Sequence, residues 1–226
     1  DWTMAIVSAD LIEDGTQQLG ANQEISPDIS AVVAKLLTLD STVAVPTIDN
    51  VLGNNWVNFS QYIAGFNLTG TGKPGATVTI TGFETSNKTA VVDVDNNWIT
   101  NVIFSDLDPN ASMTLTATQT DVAGNVSGSS GDKIFNVDLI VLSPTIDVVS
   151  TDNLVNLAEY NAGFNLTGTG EFLATLVITG FESGVKVVSV DGSGDWTCAI
   201  TSADLYANAV TELFAVQTDQ AGNTSS

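Results

Sequence analysis

Apolar and polar positions alternate with a period of two along most of the chain. In Thr77–Thr81 (TVTIT), Val78 and Ile80 share one face and the threonines the other. In Met113–Thr118 (MTLTAT), Met113, Leu115 and Ala117 do the same, and Phe66 and Leu68 pair off in FNLTGTG. Alternation of this kind predicts half-buried β-strands, and helical periodicity is weak throughout. Clusters of Gly, Pro, Asn and Asp interrupt the strands at Lys73–Gly75, Asp93–Asn97, Ser105–Asn110 and Asp121–Asn125, which predicts tight turns there.

The pattern repeats. FNLTGTG occurs at Phe66 and again 98 residues later at Phe164. At that offset Pro46–Gly128 aligns with Pro144–Ser226 without a gap, and 42 of the 83 pairs are identical. Identity that dense over a whole segment marks a duplicated structural unit. The opening DWTMAIVSADL resembles DWTCAITSADL at Asp195, so a third, diverged copy is expected at the start. The expected divisions are 1–45, the C-terminal part of a preceding repeat; 46–143, a complete repeat; and 144–226, a repeat lacking its last strand. Such a layout reads as a window on a longer tandem array.

About seven short strands per repeat predicts an all-β fold of tandem immunoglobulin-like β-sandwich domains in an extended array. Trp98 and Trp196 are expected between the sheets, and Cys198, aligned with Met4, as a core filler. The succession NLTGTGKPGATVTI, VDVDNNW and LTATQTDVAGN resembles the bacterial immunoglobulin-like repeats of large secreted surface adhesins, of the repeats-in-toxin and biofilm-associated types. The resemblance covers nearly the whole chain. It implies a structural spacer or stalk segment at the cell surface or in a biofilm matrix, with Ca2+ near the joints between repeats. The last repeat departs from the pattern where KPGA at Lys73 becomes EFLA at Glu171, and the opening copy lacks the DxAGN turn.

Charge sharpens this picture. The chain has 26 acidic residues against 5 Lys, with neither Arg nor His, for a net charge of −21. That balance repels nucleic acid and anionic membranes and suits divalent cations. No apolar run approaches the ~18 residues needed to span a bilayer. Without imidazole or guanidinium groups, and with acids placed in repeating turns, the chain is not expected to be an enzyme.

The topology of an immunoglobulin-like sandwich gathers acids at each joint. The first is expected to bring Asp10 and Asp14 toward Asp49, Asp93, Asp95 and Asp121. The second is expected to bring Asp106 and Asp108 toward Asp147, Asp191, Asp195 and Asp219. A hard cation with oxygen ligands, Ca2+ above all, would relieve the repulsion. The alternation Asp93-x-Asp95-x-Asn97 also fits a plain hairpin turn. Asp152, Asn153 and Glu159 form a further acidic patch. Expected partners are neighbouring repeats or copies of the same chain, with surface glycan or protein met elsewhere. Two alternatives are a filament joined by strand complementation and a glycan- or protein-binding module using Trp56.

Overall fold

The computed structural model describes residues 5–7, 15–21, 24–25, 28–29 and 33–226. Strands β1 (Gly15–Ala21), β2 (Glu24–Ile25), β3 (Asp28–Ile29) and β4 (Val33–Leu39) come first. Next are β5 (Trp56–Val57), helix α1 (Phe59–Ala64), β6 (Phe66–Thr71), β7 (Thr77–Thr81), β8 (Lys88–Val91), β9 (Asn97–Val102), β10 (Ser112–Thr120) and β11 (Lys133–Val137). The order then recurs, with α2 (Leu157–Ala162), β12 (Phe164–Thr169), β13 (Thr175–Phe181), β14 (Gly184–Ser189), β15 (Asp195–Ile200) and β16 (Phe214–Thr218). The 98-residue sequence repeat is thus also a repeat of secondary structure.

The chain forms two compact units, and the division runs through the middle repeat. The first takes in Asp1–Asp49, Asn67–Asn101 and Thr114–Lys133. In it β1 pairs antiparallel with β4, β6 with β9, and β7 lies between β8 and β10. Residues Thr47 and Asp49 run beside β6, donating to the carbonyls of Thr71 and Thr69 at 2.9 Å each. Leu68, Val78, Ile80, Trp98, Leu115 and Ala117 are buried, the faces that the alternation predicts. The Trp98 indole N–H donates to the carbonyls of Thr47 and Thr71 at 3.1 and 3.2 Å, so its one polar atom is satisfied inside the core.

The second unit takes in Asn50–Phe66, Val102–Met113 and Ile134–Ser226. Here β5 pairs parallel with β11. Further along, β12 pairs with β15, and β13 lies between β14 and β16. Leu166, Leu176, Ile178, Val190, Trp196, Cys198 and Ile200 form one buried cluster. Trp196 and Cys198 are the core fillers expected from the sequence, and the Trp196 N–H repeats the bonds of Trp98, to Thr145 and Thr169.

The full order β5–β11–β10–β7–β8, opposed by β9, β6 and the 46–49 segment, is the strand arrangement of an immunoglobulin-type sandwich. The fold is all-β apart from short helical pieces. Helices α1 and α2 are additions to the expected elements. Each has six residues, too few for a periodic signal, yet each carries a capping box: Asn58 with Gln61, and Asn156 with Glu159. Trp56 is half-buried within β5.

Candidate functional site

Each DxAGN turn folds the same way at its end. Asp121 Oδ1 accepts from the backbone N–H of Ala123 and Asn125 at 3.0 and 2.9 Å. The Asn125 amide then reaches back to the chain entering the repeat, donating to the Asp40 carbonyl at 2.9 Å. In the next copy, Asn223 donates to the Asp138 carbonyl at 2.8 Å. A buried glutamine makes a second tether. Gln119 donates to the Ala44 carbonyl at 2.7 Å and accepts from the Lys73 N–H at 2.9 Å; Gln217 does the same with Leu142 and Glu171. The repeated sequence therefore fastens the entering linker to its repeat twice over.

One position in this shared frame changes its charge. In the first unit the Lys73 ammonium lies 2.7 Å from Asp40 Oδ2 and 2.9 Å from Asp121 Oδ2, and donates to the Thr42 carbonyl at 3.2 Å. The Asn125 amide and the Lys73 ammonium hold the Asp121 carboxyl well below the usual carboxylate range. In the second unit the equivalents of Asp40, Lys73 and Asp121 are Asp138, Glu171 and Asp219. Their carboxylate oxygens lie within 4.8 Å of one another. Asp219 is buried and the other two are half-buried. Burial pushes the Asp138 and Glu171 carboxyls up, and the negative charge of Asp219 adds to both.

The donor chemistry suits a hard dication: three carboxylates, partly removed from water, with oxygen as the donor throughout. The charge balance points the same way. Two carboxylates and one ammonium leave one negative charge in the first site, and three carboxylates leave three in the second. One dication would return the second to the balance of the first.

Of the acids nominated from the sequence, Asp219 enters this cluster and Asp121 enters the ion pair with Lys73. Asp49 and Asp147 are exposed and accept from the hydroxyls of Thr69 and Thr167. Asp93 Oδ1 accepts from the N–H of Asp95 and Asn97, and Asp191 Oδ1 from those of Ser193 and Asp195. These bonds hold the turns and, for Asp191, depress the carboxyl. Asp95, Asp108 and Asp195 are exposed. Asp106 is buried and accepts from the Ile103 N–H at 2.8 Å, capping a 3₁₀ turn. Glu159, Asp152 and Asn153 accept from nearby backbone amides. Asp10 and Asp14 lie outside the described residues. Asp138 and Glu171 are not among the acids that the sequence nominates; the signal for them is the Lys-to-Glu exchange between aligned repeats.

No family model matches the chain, and no curated protein does. Several solved structures are similar to it. One is a bacterial ice-binding adhesin studied for its retention on the host cell surface, with 20% identity, a TM-score of 0.48, and 99% of this chain and 76% of that one covered. A Ca2+-stabilised adhesin that helps an Antarctic bacterium bind ice has 20% identity, a TM-score of 0.44, and coverage of 97% and 56%. A tetra-tandem repeat from the extending region of a large adhesion protein has 20% identity, a TM-score of 0.37, and coverage of 99% and 57%. The chain thus spans little more than half the length of the latter two. The fold assigned here rests on its own strand order and register rather than on these likenesses.

Proposed function

We propose that the chain is a spacer segment of an extracellular bacterial adhesin or matrix protein, in which each joint between repeats is locked by one cation. In the joint entering the middle repeat the cation is the Lys73 ammonium. In the joint entering the last repeat it is Ca2+, held by Asp138, Glu171 and Asp219. The observation that carries this reading is the exchange of Lys73 for Glu171 within an otherwise retained set of tethers. Bound Ca2+ would supply charge neutralisation and oxygen coordination, and the residues of the chain would position it: Asn223 fixes the linker at Asp138, and Gln217 fixes the backbone of Glu171. Extracellular modules of this kind hold Ca2+ in the range of about 10⁻⁴–10⁻³ M, which matches a location outside the cell. The protein would act by position and stiffness, with no reaction to catalyse.

A thermal melt tests this. Adding Ca2+ to the chain in EGTA should raise Tm by mass action on the folded state, and Mg2+ at equal ionic strength should raise it less. Glu171→Lys should melt in EGTA as the wild type melts in Ca2+, and should no longer respond to Ca2+. A Ca2+ response that survives in Glu171→Lys would place the ion elsewhere, and no response in the wild type would remove the ion from the joint.

A further inference from the structure

We propose that the last repeat carries a binding site for one extended polypeptide strand supplied in trans, whose alternate residues are aromatic or aliphatic and which carries a lysine. This is independent of the cation in the joint. In the middle repeat β11 lies between β10 and β5. It buries Phe135 and Val137. Its backbone is held at 2.8 to 2.9 Å by Asn136 N–H to the Asn55 carbonyl, Asp138 N–H to Val57, and Val137 N–H to Ala111. In the last repeat β16 is the counterpart of β10, and among the described residues its sheet neighbour is β13 alone. Ser225 bonds to Gln217 near the end of β16. Before that point the other edge of β16 presents backbone donors and acceptors without a ladder, the arrangement that accepts an added strand.

The side chains agree with the backbone. Val57 is fully buried in the middle repeat, whereas its counterpart Val155 is 37% exposed. Leu115 is 1% exposed and its counterpart Leu213 is only half-buried. Beside these, Val149, Tyr160 and Leu205 line an open groove of about 720 Å³, within the size range of clefts that hold ligands. The charged side chain in its lining is Asp147, and the chain as a whole carries −21. An apolar strand headed by a lysine complements both. Lys133–Val137 (KIFNV) has that chemistry, and it fills the equivalent place 98 residues earlier. Bound in the same register, the incoming strand would run parallel to Leu154–Val155 and antiparallel to β16, with its first and second buried residues taking the places of Phe135 and Val137.

The test uses the full chain and a synthetic peptide with the sequence of Asp132–Leu142, extended by two lysines for solubility. Sedimentation first establishes that the chain is monomeric. Titration followed by amide NMR should then give saturable shifts at Val155, Phe214 and Val216, with slowed hydrogen exchange along β16. A peptide carrying Phe135→Asp and Val137→Asp should bind at least tenfold more weakly. Val155→Asp in the protein, at an already exposed position, should weaken the native peptide to a similar degree. Three outcomes would overturn the proposal: no shifts along β16 at peptide excess, equal binding of the doubly substituted peptide, or a self-associated chain that the peptide fails to dissociate, which would give the groove to a second copy.

Discussion

Asp138 and Glu171 are half-buried acids with no cationic side chain among their hydrogen-bond and ion-pair partners described above, and their raised pKa values have a consequence. A carboxyl whose folded pKa exceeds its unfolded value binds protons more tightly in the native state, so stability rises as pH falls through the folded value. The penalty is fully present above that value and is gone below the ordinary carboxylate range, near pH 4. Asp121 and Asp204 have the opposite sign. Asn125 and Lys73 depress the first, and Lys186 with Ser183 depresses the second. Their contributions persist to acid pH and are lost only as pH falls toward their depressed values. In EGTA, Tm should therefore climb between pH 7.5 and 5, and Glu171→Gln should climb less. In saturating Ca2+ the climb should flatten, because protons and metal compete for the same oxygens. Calorimetry across that range checks both, and a Tm that falls on acidification in EGTA contradicts the assignment. The acids at this joint are only partly legible in the sequence. Asp219 stands in a turn written twice, so its recurrence marks it. Asp138 sits in a linker with no motif, and Glu171 is visible only against Lys73. Asp93 and Asp191 show why residue type alone is ambiguous: a carboxylate that could face a metal serves equally well as an acceptor for turn amides.

The repeated FNLTGTG is explained at the level of the strand. A Cβ on Gly70 would lie 2.0 Å from the Thr47 carbonyl and 2.5 Å from the Trp98 ring. One on Gly168 would meet Thr145 and Trp196 at 2.0 and 2.7 Å. Gly72 and Gly170 stand as close to the buried side-chain oxygens of Gln119 and Gln217, at 2.5 and 2.6 Å. Each TGTG is thus a paired recess, one for the core indole and one for the glutamine that tethers the linker. The clash at Gly70 and Gly168 includes backbone, which cannot swing aside. Gly168→Ala should cost about 3 kcal/mol, at the upper end of overpacking, and lower Tm by several degrees. Thr167→Ala, on the exposed neighbouring position, should cost under about 1 kcal/mol, as surface substitutions generally do. Urea melts of the two variants separate a packing role from a general intolerance of the strand. The strands themselves are readable because alternation survives in short segments. The recesses are not, since a glycine that admits an indole and a glycine that ends a strand look alike until the partner is placed.

At the scale of the whole molecule, the charge of −21 means that any cation stabilises the chain to some degree by screening, so Ca2+ dependence has to be separated from ionic strength. At about 0.15 M salt the screening length is ~8 Å, which damps repulsion between distant acids but leaves carboxylates within 4.8 Å strongly coupled. The two joints offer an internal control, because the same frame holds a lysine in one and a glutamate in the other. Lys73→Glu should turn the first joint into a copy of the second, with the new carboxylate joining Asp40 and Asp121 as Glu171 joins Asp138 and Asp219. At fixed ionic strength, titration calorimetry should then count no Ca2+ in Glu171→Lys, one in the wild type and two in Lys73→Glu. Lys73→Glu should also melt below the wild type in EGTA and recover most of that loss in Ca2+, whereas added NaCl should shift all three proteins in parallel. If Lys73→Glu loses stability that Ca2+ cannot restore, the frame common to both joints is a set of tethers alone, and the acids of the second joint are tolerated rather than used.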